Sequence, residues 1–97
     1  MDDLTRLAAA ARFGDRRALE AFLRASHPHA WRYCAATIDE ATADDLAQET
    51  LIRAVSAIKH FRSDASALTW LLAIARHVCA DELRSRTRRQ HREFDGD

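Results

Sequence analysis

Residues 59–89, KHFRSDASALTWLLAIARHVCADELRSRTRR, hold the densest run of side chains suited to binding. Lys59, Arg62, Arg76, Arg84, Arg86, Arg88 and Arg89 are fixed cations, and cations along a helix can follow a row of phosphates. Ser63, Asp64 and Ser66 bring hydrogen-bonding groups to a polar stretch that carries one aromatic, Phe61. A polar loop beside a basic helix can hold an unstacked base. Phe61 is expected to anchor that loop, leaving its polar neighbours for the base. Trp70, close to Leu71 and Ile74, reads as core before it reads as a stacking platform. Catalytic sets are missing: there is no Gly-rich phosphate loop, no Ser–His–Asp arrangement and no evident carboxylate pair, so the chain reads as a binder and not an enzyme. His27, His29, Cys34, His77 and Cys79 carry metal-ligating atoms, but their spacings match no familiar ligand set, and no metal or cofactor is expected. The two cysteines lie outside any CxxC pattern, as expected for reduced, buried thiols of a cytoplasmic protein. No signal peptide and no membrane-spanning apolar run is apparent.

A second cluster has the opposite sign. Asp45, Gln48, Glu49, Ile52, Arg53 and Ser56 recur on one side of a helical pattern, with Asp44 beside them. Acids in a first turn suit the helix dipole, which is reason enough for Asp44 and Asp45. It does not account for Gln48, Glu49 and an outward-facing Ile52, which mark a protein contact. The charge is divided accordingly. Residues 1–49 hold six Arg and nine acids (6 − 9 = −3), and residues 50–97 hold nine Lys or Arg and six acids (9 − 6 = +3). The bland reading is chance and solvated faces; the sharper one is two faces for two partners.

Those residues need helices to position them. Ninety-seven residues with two Gly, one Pro and abundant Ala and Leu predict one all-α domain, a compact antiparallel bundle of four or five helices. A helix over 3–12 presents Leu4, Leu7, Ala8 and Ala11, with Gly14 as its C-terminal cap and Asp15 as the next N-cap. The second helix buries Ala18, Leu19, Phe22 and Leu23. Pro28 reads as a kink or fresh start capped by Ser26 or His27, after which Ala30, Trp31, Cys34, Ala35 and Ile38 resume the pattern. Thr42 and Asp45 have capping-box spacing for a helix reaching Ile58, with Leu46, Ala47, Thr50, Leu51, Ala54, Val55 and Ile58 inward. A loop at 59–67 leads to a long helix from Ala67 to about Thr87. Leu68, Leu71, Leu72, Ala75, Val78, Cys79 and Leu83 form its apolar stripe. The domain is expected to span 1–89, with 90–97 a polar, frayed tail. Trp31 and Trp70 are expected to be mostly buried, Gln48 and Arg53 exposed.

Two stretches on consecutive helices carry a family resemblance. ADDLAQETLIRAVSAI is similar to the helix of bacterial sigma-factor domain 2 that docks on core RNA polymerase. HFRSDASALTWLLAIARHVCADELRSR resembles the adjoining promoter-melting segment of the extracytoplasmic-function (ECF) group. The acidic pair, Leu, Gln-Glu, the aromatic-Arg loop, Thr-Trp-Leu and Ile-Ala-Arg occur in order, and the likeness covers about residues 4–89. It implies a transcription initiation domain that grips polymerase and captures the unwound minus-ten promoter element. By position, Asp44, Asp45, Gln48, Glu49, Ile52 and Arg53 would face polymerase. Lys59, Phe61, Arg62, Ser63, Asp64, Ser66, Trp70, Arg76, His77, Arg84 and Arg88 would form the DNA side, separate from the acidic one. An anti-sigma protein competing for the polymerase face is also implied. His77 stands where many relatives carry Asn, and an imidazole reads a base edge differently from an amide. Leu51 replaces a common aromatic. The family's second, minus-thirty-five-binding domain has no counterpart in this sequence. Two other classes compete with this reading. One is a helical protein–protein adaptor without DNA function. The other is a duplex-reading helix-turn-helix protein, disfavoured because a nine-residue polar loop replaces the tight turn.

Overall fold

The computed structural model describes residues 1–95 as four helices in the order α1 (Asp3–Arg12), α2 (Arg16–Thr37), α3 (Glu40–Ala57) and α4 (Ala67–Asp95). A 3₁₀ turn at Ile58–His60 ends α3. The first three helices begin at aspartates whose carboxylates accept a backbone N–H three residues on: Asp2 from Thr5 at 2.8 Å, Asp15 from Ala18 at 3.0 Å, and Asp39 from Thr42 at 2.9 Å. Helix α1 closes at Phe13–Gly14, where Gly14 takes φ 97° and the amide of Asp15 returns to the Ala10 carbonyl at 3.3 Å. Both features belong to a left-handed cap that glycine adopts without steric cost.

Helix α2 is the hub, packing on α1, α3 and α4, while α1 and α3 do not touch among the described residues. The core falls into two clusters along its length. At the α1 end, Ala8, Ala11, Ala18, Phe22, Ile58, Phe61 and Ala67 are buried, with Leu4, Leu7, Leu19, Leu23 and Trp70 packed around them. Phe61 meets Trp70 edge-on at 5.3 Å between ring centroids, and Phe22 lies 6.3 Å from the same indole. At the other end Cys34, Ala43, Leu46, Ala75, Val78 and Cys79 form the second cluster, with Trp31 and Ile38 against it. The Cys79 thiol stands 3.7 Å from that of Cys34, both free and buried, and burial pushes the Cys79 thiol up to about 12. None of the described helices is long and apolar enough to cross a membrane.

Several expectations are corrected. Pro28 starts no new helix: α2 runs through it, Ser26 is a buried interior residue, and neither Ser26 nor His27 caps a helix. The pyrrolidine is exposed on the outer side of the helix, where its lost hydrogen bond is least costly. The capping box at Thr42 and Asp45 is not used. Asp39 caps instead, and α3 starts at Glu40, because Thr42 supplies the N–H and also donates its hydroxyl to Asp39 at 2.6 Å. Val55 and Leu83, expected inward, are exposed, and both tryptophans are half-buried. Helix α4 continues past Thr87 to Asp95, so the stretch 88–95 is helical; positions 96 and 97 of the expected tail lie outside the described residues. Pairs one turn apart, Arg86 on Glu82 at 2.7 Å and Arg89 on the Ser85 hydroxyl at 2.8 Å, support that extension. The long helix draws the molecule out to 54 × 22 × 21 Å.

Candidate functional site

The connection from Lys59 to Ser66 is held at both ends by α1. At its start, the Arg12 guanidinium donates to the Phe61 carbonyl at 2.8 Å. At its finish, the amide of Ala67 donates to the Thr5 hydroxyl at 2.9 Å, and that hydroxyl donates in turn to the Asp2 carboxylate at 2.9 Å. The backbone N–H of Thr5 first, and then its hydroxyl, both donating to Asp2, hold that carboxyl below its usual range. Thr5 and Phe61 are both buried, so the loop's anchors lie in the core while Arg62, Ser63, Asp64 and Ser66 stand in solvent. Phe61 anchors the loop as expected; its ring, fully enclosed, is closed to a base. Trp70 is half-buried beside it.

The loop and the corner between α1 and α2 bound an open cleft lined by Arg12, Phe13, Lys59, His60, Arg62, Ser63 and Asp64. Arg62 and Asp64 face each other at 3.7 Å, both largely exposed. Ser66 has a different task. Its hydroxyl accepts from the amide of Thr69 at 3.1 Å and donates to the Thr69 hydroxyl at 2.8 Å, so it is the N-cap of α4. Beyond it, Thr69 and Arg76 share a helix face, and Arg76 lies about 14 Å along the axis from Ala67. Arg76 and His77 are exposed.

The two faces are not separate, contrary to the expectation. Asp44, Asp45 and Gln48 are exposed on α3, and Ile52 is 60% exposed among them. Arg53, expected to be exposed, is half-buried between Asp81 of α4 at 2.9 Å and Glu49 at 3.3 Å. Asp81 also pairs with Arg84. The Arg53 bond, first, and the charges of Arg53 and Arg84 hold the carboxyl of Asp81 below its usual range. One groove therefore runs between α3 and α4, lined by Glu49, Arg53, Asp81, Ser85 and Arg88 among others. Arg86 is likewise engaged, bonded to Glu82 at 2.7 Å and to Asp39 at 3.0 Å. In the first half of α4 the one fixed cation, Arg76, is exposed. Among the described residues, Lys59, Arg76 and Arg88 make no ion pair.

Four contributors to this site were not foreseen: Thr5, Arg12, Phe13 and His60. A threonine on the inner side of an alanine-rich helix and an aromatic directly before Gly14 are the signals the sequence carried. The connection between α3 and α4, from Ile58 to Ser66, is unlike the tight turn of a helix-turn-helix.

The Sigma-70 region 2 family pattern matches residues 18–89. The chain belongs to that family. Within it, this sigma region 2 chain is 53% identical over 81 residues to the probable RNA polymerase sigma-C factor of Mycobacterium bovis and to the ECF RNA polymerase sigma factor SigC of Mycobacterium tuberculosis. The match takes in 84% of this chain and 44% of each relative, so the chain spans less than half the length of those proteins. Its fold resembles a solved complex of an engineered region 2 of sigmaE with GTAAAA, at TM-score 0.80 and 22% identity, over 92% of this chain and 93% of the other.

Proposed function

We propose that this ECF-type sigma region 2 domain binds core RNA polymerase and holds the minus-ten promoter element open by capturing its single-stranded non-template strand. The observation that carries this reading is the loop from Arg62 to Ser66, solvent-facing between two core-anchored ends and leading into α4, on which Arg76 and His77 are exposed. Family membership and a fold neighbour solved with GTAAAA support it.

Opening DNA in this way needs no catalysis. It needs the open state to bind better than the duplex. Unstacking a base costs a few kcal/mol, about what a preformed pocket returns. Fixing the loop ends on α1 removes part of the ordering cost before the strand arrives. Arg62, Ser63 and Asp64 read the base edge, while Lys59, Arg76 and Arg88 hold phosphates. Polymerase is met by Asp44, Asp45, Gln48, Glu49 and Ile52, where carboxylates surround an exposed apolar side chain. Arg53 contributes by ordering Glu49 through its bridge to Asp81. An anti-sigma protein competes for that face, and the domain works in the cytoplasm, where polymerase and promoter lie. An adaptor without DNA function leaves the basic loop cleft without a use.

Co-purification with core polymerase tests the reading. The double change Asp45→Arg with Glu49→Arg is expected to reduce retention strongly at unchanged helicity, since Asp45 is exposed and Glu49 only half-covered. Retention equal to the unaltered chain means that this face does not meet polymerase.

A further inference from the structure

Phe13 is 82% exposed, an unusual position for a phenylalanine that covers nothing. Three features fix it in place. It is the C-cap of α1, its amide donating to the Ala10 carbonyl at 3.1 Å. The left-handed Gly14 and the N-cap aspartate Asp15 follow at once, so the corner has little freedom to move. The Arg12 guanidinium lies over its ring at 5.2 Å from the centroid, and that same guanidinium holds the Phe61 carbonyl. The ring is thus tied through Arg12 to the start of the loop, with its opposite face open.

Resting on the proposed single-strand reading, we infer that Phe13 is a stacking platform for a nucleotide of the captured strand, next to the one held by the loop. The cleft bears this out chemically. Phe13 shares it with Arg12, Lys59 and Arg62, three fixed cations against the single carboxylate of Asp64. An apolar protein surface seated on the ring would have to desolvate those cations. A nucleotide meets both demands at once, its base lying on the ring and its phosphate among the cations. Stacking tolerates any base, so this subsite adds affinity and directs the strand, while the loop does the reading. The open ring also lacks any packing role that would require an aromatic here.

The test uses the chain itself with fluorescein-labelled single-stranded ten-mers, dA10, dC10, dT10 and one mixed sequence, beside a duplex of the mixed one. Phe13→Ala is expected to weaken binding of all single strands by about fivefold or more. The dependence on salt should not change, because no cation is lost. Phe13→Trp should restore the affinity. Lys59→Ala should behave oppositely, flattening the salt dependence. Because the ring is exposed, both Phe13 variants should keep the parent helicity, checked by circular dichroism. If the unaltered chain prefers single strands and Phe13→Ala binds them equally well, the platform is refuted and the loop reading stands. If the unaltered chain shows no preference for single strands, the loop reading itself fails and the platform with it.

Discussion

Thr5 carries two bonds that no neighbour can replace, accepting from the amide of Ala67 and donating to Asp2. Thr5→Val keeps the shape and removes both, leaving a buried N–H at the first turn of α4 unpaired. A loss of about 1–3 kcal/mol in unfolding free energy is expected, read from a urea titration. Thr5→Ser should recover most of it. A stability change below a few tenths would mean that the hydroxyl does not hold α4 to α1. Ser66 warns against a tempting experiment. Its hydroxyl caps α4, so replacing it disturbs the helix start as well as any base contact; Arg62 and Ser63 are the cleaner probes of the loop. Phe61 as anchor was readable because one aromatic in a polar loop has few alternatives. Arg12 was not, because its partner lies 49 residues away and a terminal arginine on a short helix looks like any solvated charge.

Three of the four helix starts are capped by aspartates, and acid should reveal it. Thr42 bonds first, and then Arg86, hold the carboxyl of Asp39 below its usual range; Asp2 and Asp81 are held down by Thr5 and Arg53. A carboxyl depressed in the folded state takes up its proton more readily once unfolded. Its contribution is therefore present above the ordinary carboxylate value of about 4 and is lost as pH falls through the lower, folded one. The thermal midpoint should change little in its carboxylate contribution between pH 5 and 7, then drop below about pH 4. Asp39→Asn, which can still cap, should soften that drop; an identical acid profile would show that Asp39 does not contribute to it. Helix α2 gives a second expectation. Pro28 is exposed inside a continuous helix, so Pro28→Ala restores an N–H for the Arg24 carbonyl and should raise stability by about 1–3 kcal/mol, seen as a higher urea midpoint. A lower midpoint would mean that the proline ring itself supports the fold. Both sites explain where local rules misled. Proline usually interrupts a helix, but packing of Phe22, Ser26, Ala30 and Cys34 along one side carries α2 through it. The spacing of Thr42 and Asp45 fits a cap, yet Asp39 three residues earlier competes for the same amide and prevails.

The arrangement of the whole chain follows from α2 as hub and α1 as brace. Because α1 bonds to both ends of the loop, the shortest of the four helices holds the ends of a segment whose polar side chains stand in solvent. The apolar periods made the bundle legible in the sequence, and the consecutive motifs marked two stretches on neighbouring helices. What they did not disclose is how the stretches meet. Arg53 and Asp81 are 28 residues apart, and only the packing of α3 on α4 turns an apparently free arginine into a bridge between the acidic and basic sides. Single-strand capture at the braced loop is the claim on which the functional account depends. The measurement that tests it most directly uses core polymerase, the chain, and a fluorescent promoter non-template strand offered alone or as duplex, with single-base variants of each. Tighter binding of the single strand is expected, with a log–log salt slope of about 0.7 per phosphate neutralised. Arg62→Ala with Ser63→Ala should erase the difference among base variants, whereas Arg76→Ala should weaken all of them alike. Equal binding of single strand and duplex, or base preference untouched by the loop changes, would contradict it.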